Sequence, residues 1–96
     1  MTNTENNYVT RHVGLASYLL YQNPASYVCT RKSAQCFPLF EFSAPDDCLA
    51  METLFFSEEG VAVADARALL DCSKSIRATV AEAAKAADGI YWGKLQ

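Results

Sequence analysis

The sequence predicts an α+β domain: a short antiparallel sheet packed on helices, in the order β-α-β-β-α-α, with a long C-terminal helix. Three observations carry this. From Ala66 onward, small and apolar residues recur at steps of three and four: Ala66, Leu69, Ser73, Ile76, Val80, Ala83 and Ala87. No Gly or Pro interrupts the chain between positions 61 and 88. Upstream, two short runs rich in Tyr, Val and Phe are joined by a polar link, which is the composition of a hairpin. Between the two regions, Ser43-Ala44-Pro45-Asp46-Asp47 reads as a helix start.

Residues 1–7 are polar and are expected to form a frayed tail. Tyr8-Val9-Thr10 has strand composition and suits a short edge strand. Residues 11–21 place Val13, Ala16, Leu19 and Leu20 on one helical face, and Asn23-Pro24 ends that helix. The hairpin strands are expected at 26–30 and 36–43, linked through Arg31-Lys32-Ser33-Ala34. Pro38 has no N–H to give a ladder, so its end of the strand is expected at an edge or bulge.

In the second helix, Ser43 is the expected cap, proline suits the first turn, and Asp46 and Asp47 complement the dipole. This helix is expected to run to about position 57 with an apolar stripe of Cys48, Leu49, Met51, Leu54 and Phe55, and Gly60 follows as a C-terminal signal. The third helix is expected from about 64 to 87, about 36 Å at 1.5 Å per residue, with Asp65 in its first turn and Asp88-Gly89 closing it. Its first half, with Leu69, Leu70 and Ile76, is bulky enough to cover a sheet. Its second half is mostly alanine, which allows close approach but buries little area. Residues 88–96 are expected to form a C-terminal tail.

The whole is expected to be a single domain. Ninety-six residues suffice for one modest core. Hydrophobic residues make up 51% of the chain, which argues against disorder. A net charge of −3 disfavours a dedicated nucleic-acid binder. The polar start carries no positive charge of the kind that opens a signal peptide, and no apolar run approaches the roughly 20 residues that span a bilayer. The expectation is a cytoplasmic protein of a bacterial or phage-infected cell, with reduced thiols and no membrane partner.

Chemistry is thinly represented. Four cysteines are few for a disulfide framework. A hairpin centred between Lys32 and Ser33 would put Cys29 directly opposite Cys36, close enough for a redox or metal-binding pair, but two small half-buried side chains explain them better. Cys48 and Cys72 read as core. There is no Cys-x-x-Cys, and His12 is distant in sequence, so no metal site is expected. His12 at a helix start reads as a surface residue, since spacing supplies no nucleophile or carboxylate for it. The carboxylates Asp46, Asp47, Glu52, Glu58 and Glu59 fit solubility and dipole roles better than a hydrolytic pair. Arg67, Lys74, Arg77 and Lys85 form a candidate basic patch, and Asp71 among them suggests a laced, solvated face. Phosphate loops and nucleophile elbows are absent, and no cofactor is expected. The candidate partner-binding residues are Val80, Ala84, Ala87, Tyr91 and Trp92, because tyrosine and tryptophan combine large area with a polar handle; the plainer reading folds the two rings back on the helix as a hydrophobic cap.

The segments Tyr8-Val9-Thr10, Leu15-Ala16-Ser17-Tyr18-Leu19, Phe40-Glu41-Phe42, Phe55-Phe56 and Val63-Ala64-Asp65-Ala66-Arg67 together resemble a small domain family of bacteria and their phages, over about residues 8–80. That family has no assigned activity. The resemblance implies a β-α-β-β-α fold and an origin in a phage or mobile element. The leading functional expectation is non-enzymatic protein binding, such as an inhibitor of a bacterial defence complex of the anti-CRISPR kind. The alternatives are a nucleic-acid-binding accessory using Arg31, Lys32 and the basic side of the long helix, and a homodimer paired through that helix.

Overall fold

The computed structural model describes residues 7–32 and 37–92. It shows the expected mixed architecture with one strand more than the sequence suggested. The order is β1 (Tyr8–Thr10), α1 (Val13–Gln22), β2 (Tyr27–Lys32), β3 (Pro38–Phe42), α2 (Pro45–Phe55), α3 (Ala66–Lys85) and β4 (Ile90–Trp92). The strands form one antiparallel sheet in the order β1-β3-β2-β4. The expected C-terminal tail therefore begins as an edge strand. Gly89 makes the turn at φ 75°, where a side chain is disfavoured, and its carbonyl accepts from the Lys32 N–H at 2.8 Å.

Helices cover one face of the sheet. Phe40 and Phe42 of β3 pack against Leu15, Ala16 and Leu19 of α1, Cys48 of α2 and Ile76 of α3. Every residue from Leu15 to Leu19 is buried, so α1 is more enclosed than a one-sided stripe implies. Thr30 of β2 reaches up from the same face, its hydroxyl 2.8 Å from that of Thr79 on α3.

α3 follows its expected period, with Ile76 and Ala83 buried. Asp65 caps it, accepting from the Ala68 N–H at 3.0 Å. At 20 residues it is about 30 Å long, shorter than expected at both ends, because Asp65 is the N-cap and the backbone leaves the helix at Ala86. Leu70 does not join the core: it is 65% exposed.

α2 departs further from its expected stripe. Cys48 is buried and Met51 and Phe55 are partly buried, but Leu49 and Leu54 face solvent. Ser43 is not its cap. The N-cap is Ala44, at a left-handed φ of 57°, while the Ser43 hydroxyl donates to the Ser26 carbonyl at 3.2 Å. The proximity of Ser26 offers Ser43 a partner outside the helix. Tyr8 ties α2 to the sheet by donating to Glu52 Oε1 at 2.8 Å.

Candidate contact surface

The hairpin register decides the chemistry of the uncovered sheet face. Thr30 pairs with Phe40, Arg31 with Leu39 and Lys32 with Pro38, so Cys29 pairs with Glu41. The expected opposition of Cys29 and Cys36 fails, because opposed positions sum to 70 rather than 65. Cys36 itself lies outside the described residues. Pro38 sits at the first position of β3, a strand end where its missing N–H is tolerated.

Since side chains alternate along strands, the row Val9, Glu41, Cys29, Trp92 lies on the face away from the helices. Leu39, Arg31 and Ile90 form the next row. Arg31 lies along its strand and pairs with Glu41, and its Nη2 is 3.8 Å from Cys29 Sγ. Glu41 also accepts from Asn7 Nδ2 at 2.8 Å. The ion pair and its neighbours leave Cys29 with no exposed surface. Burial pushes its thiol above the ordinary range, against the pull of the Arg31 contact. The face thus has a closed polar centre with apolar residues around it. Trp92 stands at its β4 edge, 56% exposed.

The candidate partner residues do not form one patch. Tyr91 and Trp92 point to opposite faces of β4. Tyr91 lines a cleft of about 240 Å³ with Leu20, Tyr27 and Thr79. Val80 and Ala84 line another of about 260 Å³, with Lys32, Phe37 and Pro38. Val80 is half-buried against the core, and Ala87 is exposed in the turn after α3. Trp92 is therefore the member that offers free aromatic surface. Alternation along a short strand could have separated it from Tyr91, had Ile90-Tyr91-Trp92 been read as one.

The basic residues Arg67, Lys74, Arg77 and Lys85 are all exposed on α3. They are not laced by Asp71: among the described residues the one ion pair is Arg31 with Glu41. Arg31 is thereby drawn away from any basic surface. Asp46, Asp47, Glu58 and Glu59 are exposed, and Glu52 is occupied by Tyr8. Cys48 is buried as expected, whereas Cys72 is half-buried on α3. His12 proves to be the N-cap of α1. No helix among the described residues is long and apolar enough to cross a membrane. No family model matches the chain, and no curated protein or solved structure does either.

Proposed function

We propose that this chain is a non-enzymatic protein-binding module whose contact surface is the helix-free sheet face at the β4 edge. The observation that supports it is Trp92: the chain's one tryptophan stands more than half exposed on an edge strand, beside Ile90 and the Arg31–Glu41 pair. A large ring of this kind is costly to leave in water and is an efficient anchor when covered. The narrower reading, an inhibitor of a bacterial defence complex acting in the cytoplasm, rests on small size, mild acidity and the family resemblance.

Affinity capture from the native host with the wild type and with Trp92→Ala tests the reading. Tyr91 is left intact, because it packs toward α3 and its removal would confuse folding with binding. The expected result is a partner retained by the wild type and lost from the variant, with unchanged circular dichroism. Equal retention by both proteins overturns this surface.

A further inference from the structure

His12 is the chain's one histidine, and it does a job usually left to Ser, Thr, Asp or Asn. Its Nδ1 accepts the Leu15 N–H at 3.0 Å and so caps α1. An imidazole nitrogen that accepts carries no proton, which places the ring's proton on Nε2. The ring is also gripped by the end of α2. Phe55 and Phe56 meet it edge-to-face, with centroids 5.8 and 5.1 Å away. Gly14 makes room for this: a Cβ there would lie 3.1 Å from His12 Cε1 and 3.4 Å from Phe55 Cζ.

We propose that His12 is an acid-sensitive latch joining the start of α1 to the end of α2. Protonation at Nδ1 turns the acceptor into a donor facing the Leu15 N–H, so the cap bond breaks. It also places a positive charge at a helix N-terminus, where the helix dipole opposes it. Both effects act in the same direction: each favours the open latch once the ring is charged.

His12 is exposed to solvent, and no carboxylate among the described residues pairs with its ring. From the preceding segment come Thr10, whose hydroxyl accepts the His12 backbone N–H, and Arg11, whose guanidinium lies over Phe37. From α2 come the two phenylalanines, with Glu52 one turn earlier held by Tyr8. Glu58 and Glu59 follow in the next turn, and among the described residues no ion pair forms with His12. α2 is the helix with most to lose, because Cys48 is its one fully buried residue. Opening the latch frees Phe56 and the exposed segment that follows it, and removes one of the contacts that hold Phe55, which also packs on Tyr18.

The test is amide hydrogen exchange by NMR on the full chain from about pH 8 to about pH 5, comparing the wild type with His12→Asn. Asparagine caps without titrating. The expected result, after correction for intrinsic exchange, is that opening at Leu15, Phe55 and Phe56 rises about fivefold in the wild type on acidification, a cap's usual worth, and stays level in the variant. Parallel profiles for the two proteins overturn the proposal. So does a rise at Leu15 with none at Phe55 and Phe56, because the helices are then not coupled. Nitrogen shifts of the wild-type imidazole give a check independent of the variant: a neutral ring protonated on Nδ1 also overturns it.

Discussion

Cys29 faces Glu41 across the β2–β3 ladder, its Sγ 3.7 Å from Oε1 and with Arg31 laid beside both. The thiol is therefore sealed by an ion pair rather than matched to another thiol. Burial raises the Cys29, Cys48 and Cys72 thiols above their ordinary range, aided at Cys48 by Asp47 and at Cys72 by Asp71. Thiolate is the reactive form, so all three are expected to be slow with alkylating reagents near neutral pH. Among them Cys72 should react first, because it alone is half-exposed. Arg31→Ala opens the cover of Cys29 but also removes the cation that favours its thiolate and leaves Glu41 beside it, so Cys29 labelling should stay below that of Cys72 in the variant as well. Site-resolved mass spectrometry after iodoacetamide pulses reads this ranking, and Cys29 labelling ahead of Cys72 in the wild type would contradict it.

The Tyr8–Glu52 bond links β1 to α2 and gives a pH signature at the alkaline end. Burial first, and then the bond to the Glu52 carboxylate, hold the Tyr8 phenol above its ordinary range. Burial moves Tyr27 in the same direction. A raised phenol is held neutral by the fold. Its contribution is fully present below the ordinary phenol value of about 10 and is lost as pH rises beyond it. Tyr8→Phe should cost about 1 kcal/mol at neutral pH. The gap between variant and wild type should close as pH rises past about 10. Urea titrations at several pH values measure it, and a gap that does not change with pH would refute the assignment.

The α3 stripe separates two neighbouring kinds of leucine-sized residue. Ile76 is fully buried among Leu15, Leu19 and Phe40, while Leu70 faces water. Ile76→Ala should cost about 2–5 kcal/mol, because the packed sheet and α1 cannot collapse fully into the space. Leu70→Ala should stay within about 0.5 kcal/mol of the wild type. Chemical denaturation midpoints decide between these values and a uniform cost along the helix.

What could be read from the sequence depended on how much pattern each element carried. α3 has twenty residues, a cap at Asp65 and a repeated three-four spacing, so its core positions Ile76 and Ala83 were legible. β4 has three residues, too few to show alternation, and its place beside β2 comes from tertiary pairing. The hairpin strands were visible from composition, but a polar link does not locate the centre of a turn. A shift of five in the register sum exchanged Cys36 for Glu41 as the partner of Cys29. In α2 the expected stripe was too wide: Cys48, Met51 and Phe55 follow a three-four spacing and turn inward, while Leu49 and Leu54 flank them and face solvent. His12 was recognisable as a residue at a helix start, but its capping bond and its grip by Phe55 and Phe56 required the packing of α2 on α1.

Ala44 bears a local cost that can be removed. It is the one non-glycine among the described residues with a positive φ, at 57°, and its side chain offers no cap to α2. An L-residue there places Cβ against the following carbonyl, at roughly 1–2 kcal/mol. The conformation is imposed by both sides: Ser43 is tied by its N–H and its hydroxyl to the Ser26 carbonyl, and Pro45 opens the helix. Glycine adopts this region without the steric cost but loses more freedom on folding, so the two effects partly offset. Ala44→Gly is expected to stabilise the domain by about 0.5–1 kcal/mol, unlike most substitutions, which destabilise. Ala44→Val should move the other way, since a branched side chain tolerates positive φ least. Thermal midpoints of the three proteins test the ordering, and a valine variant at least as stable as the glycine variant would rule out strain at this junction.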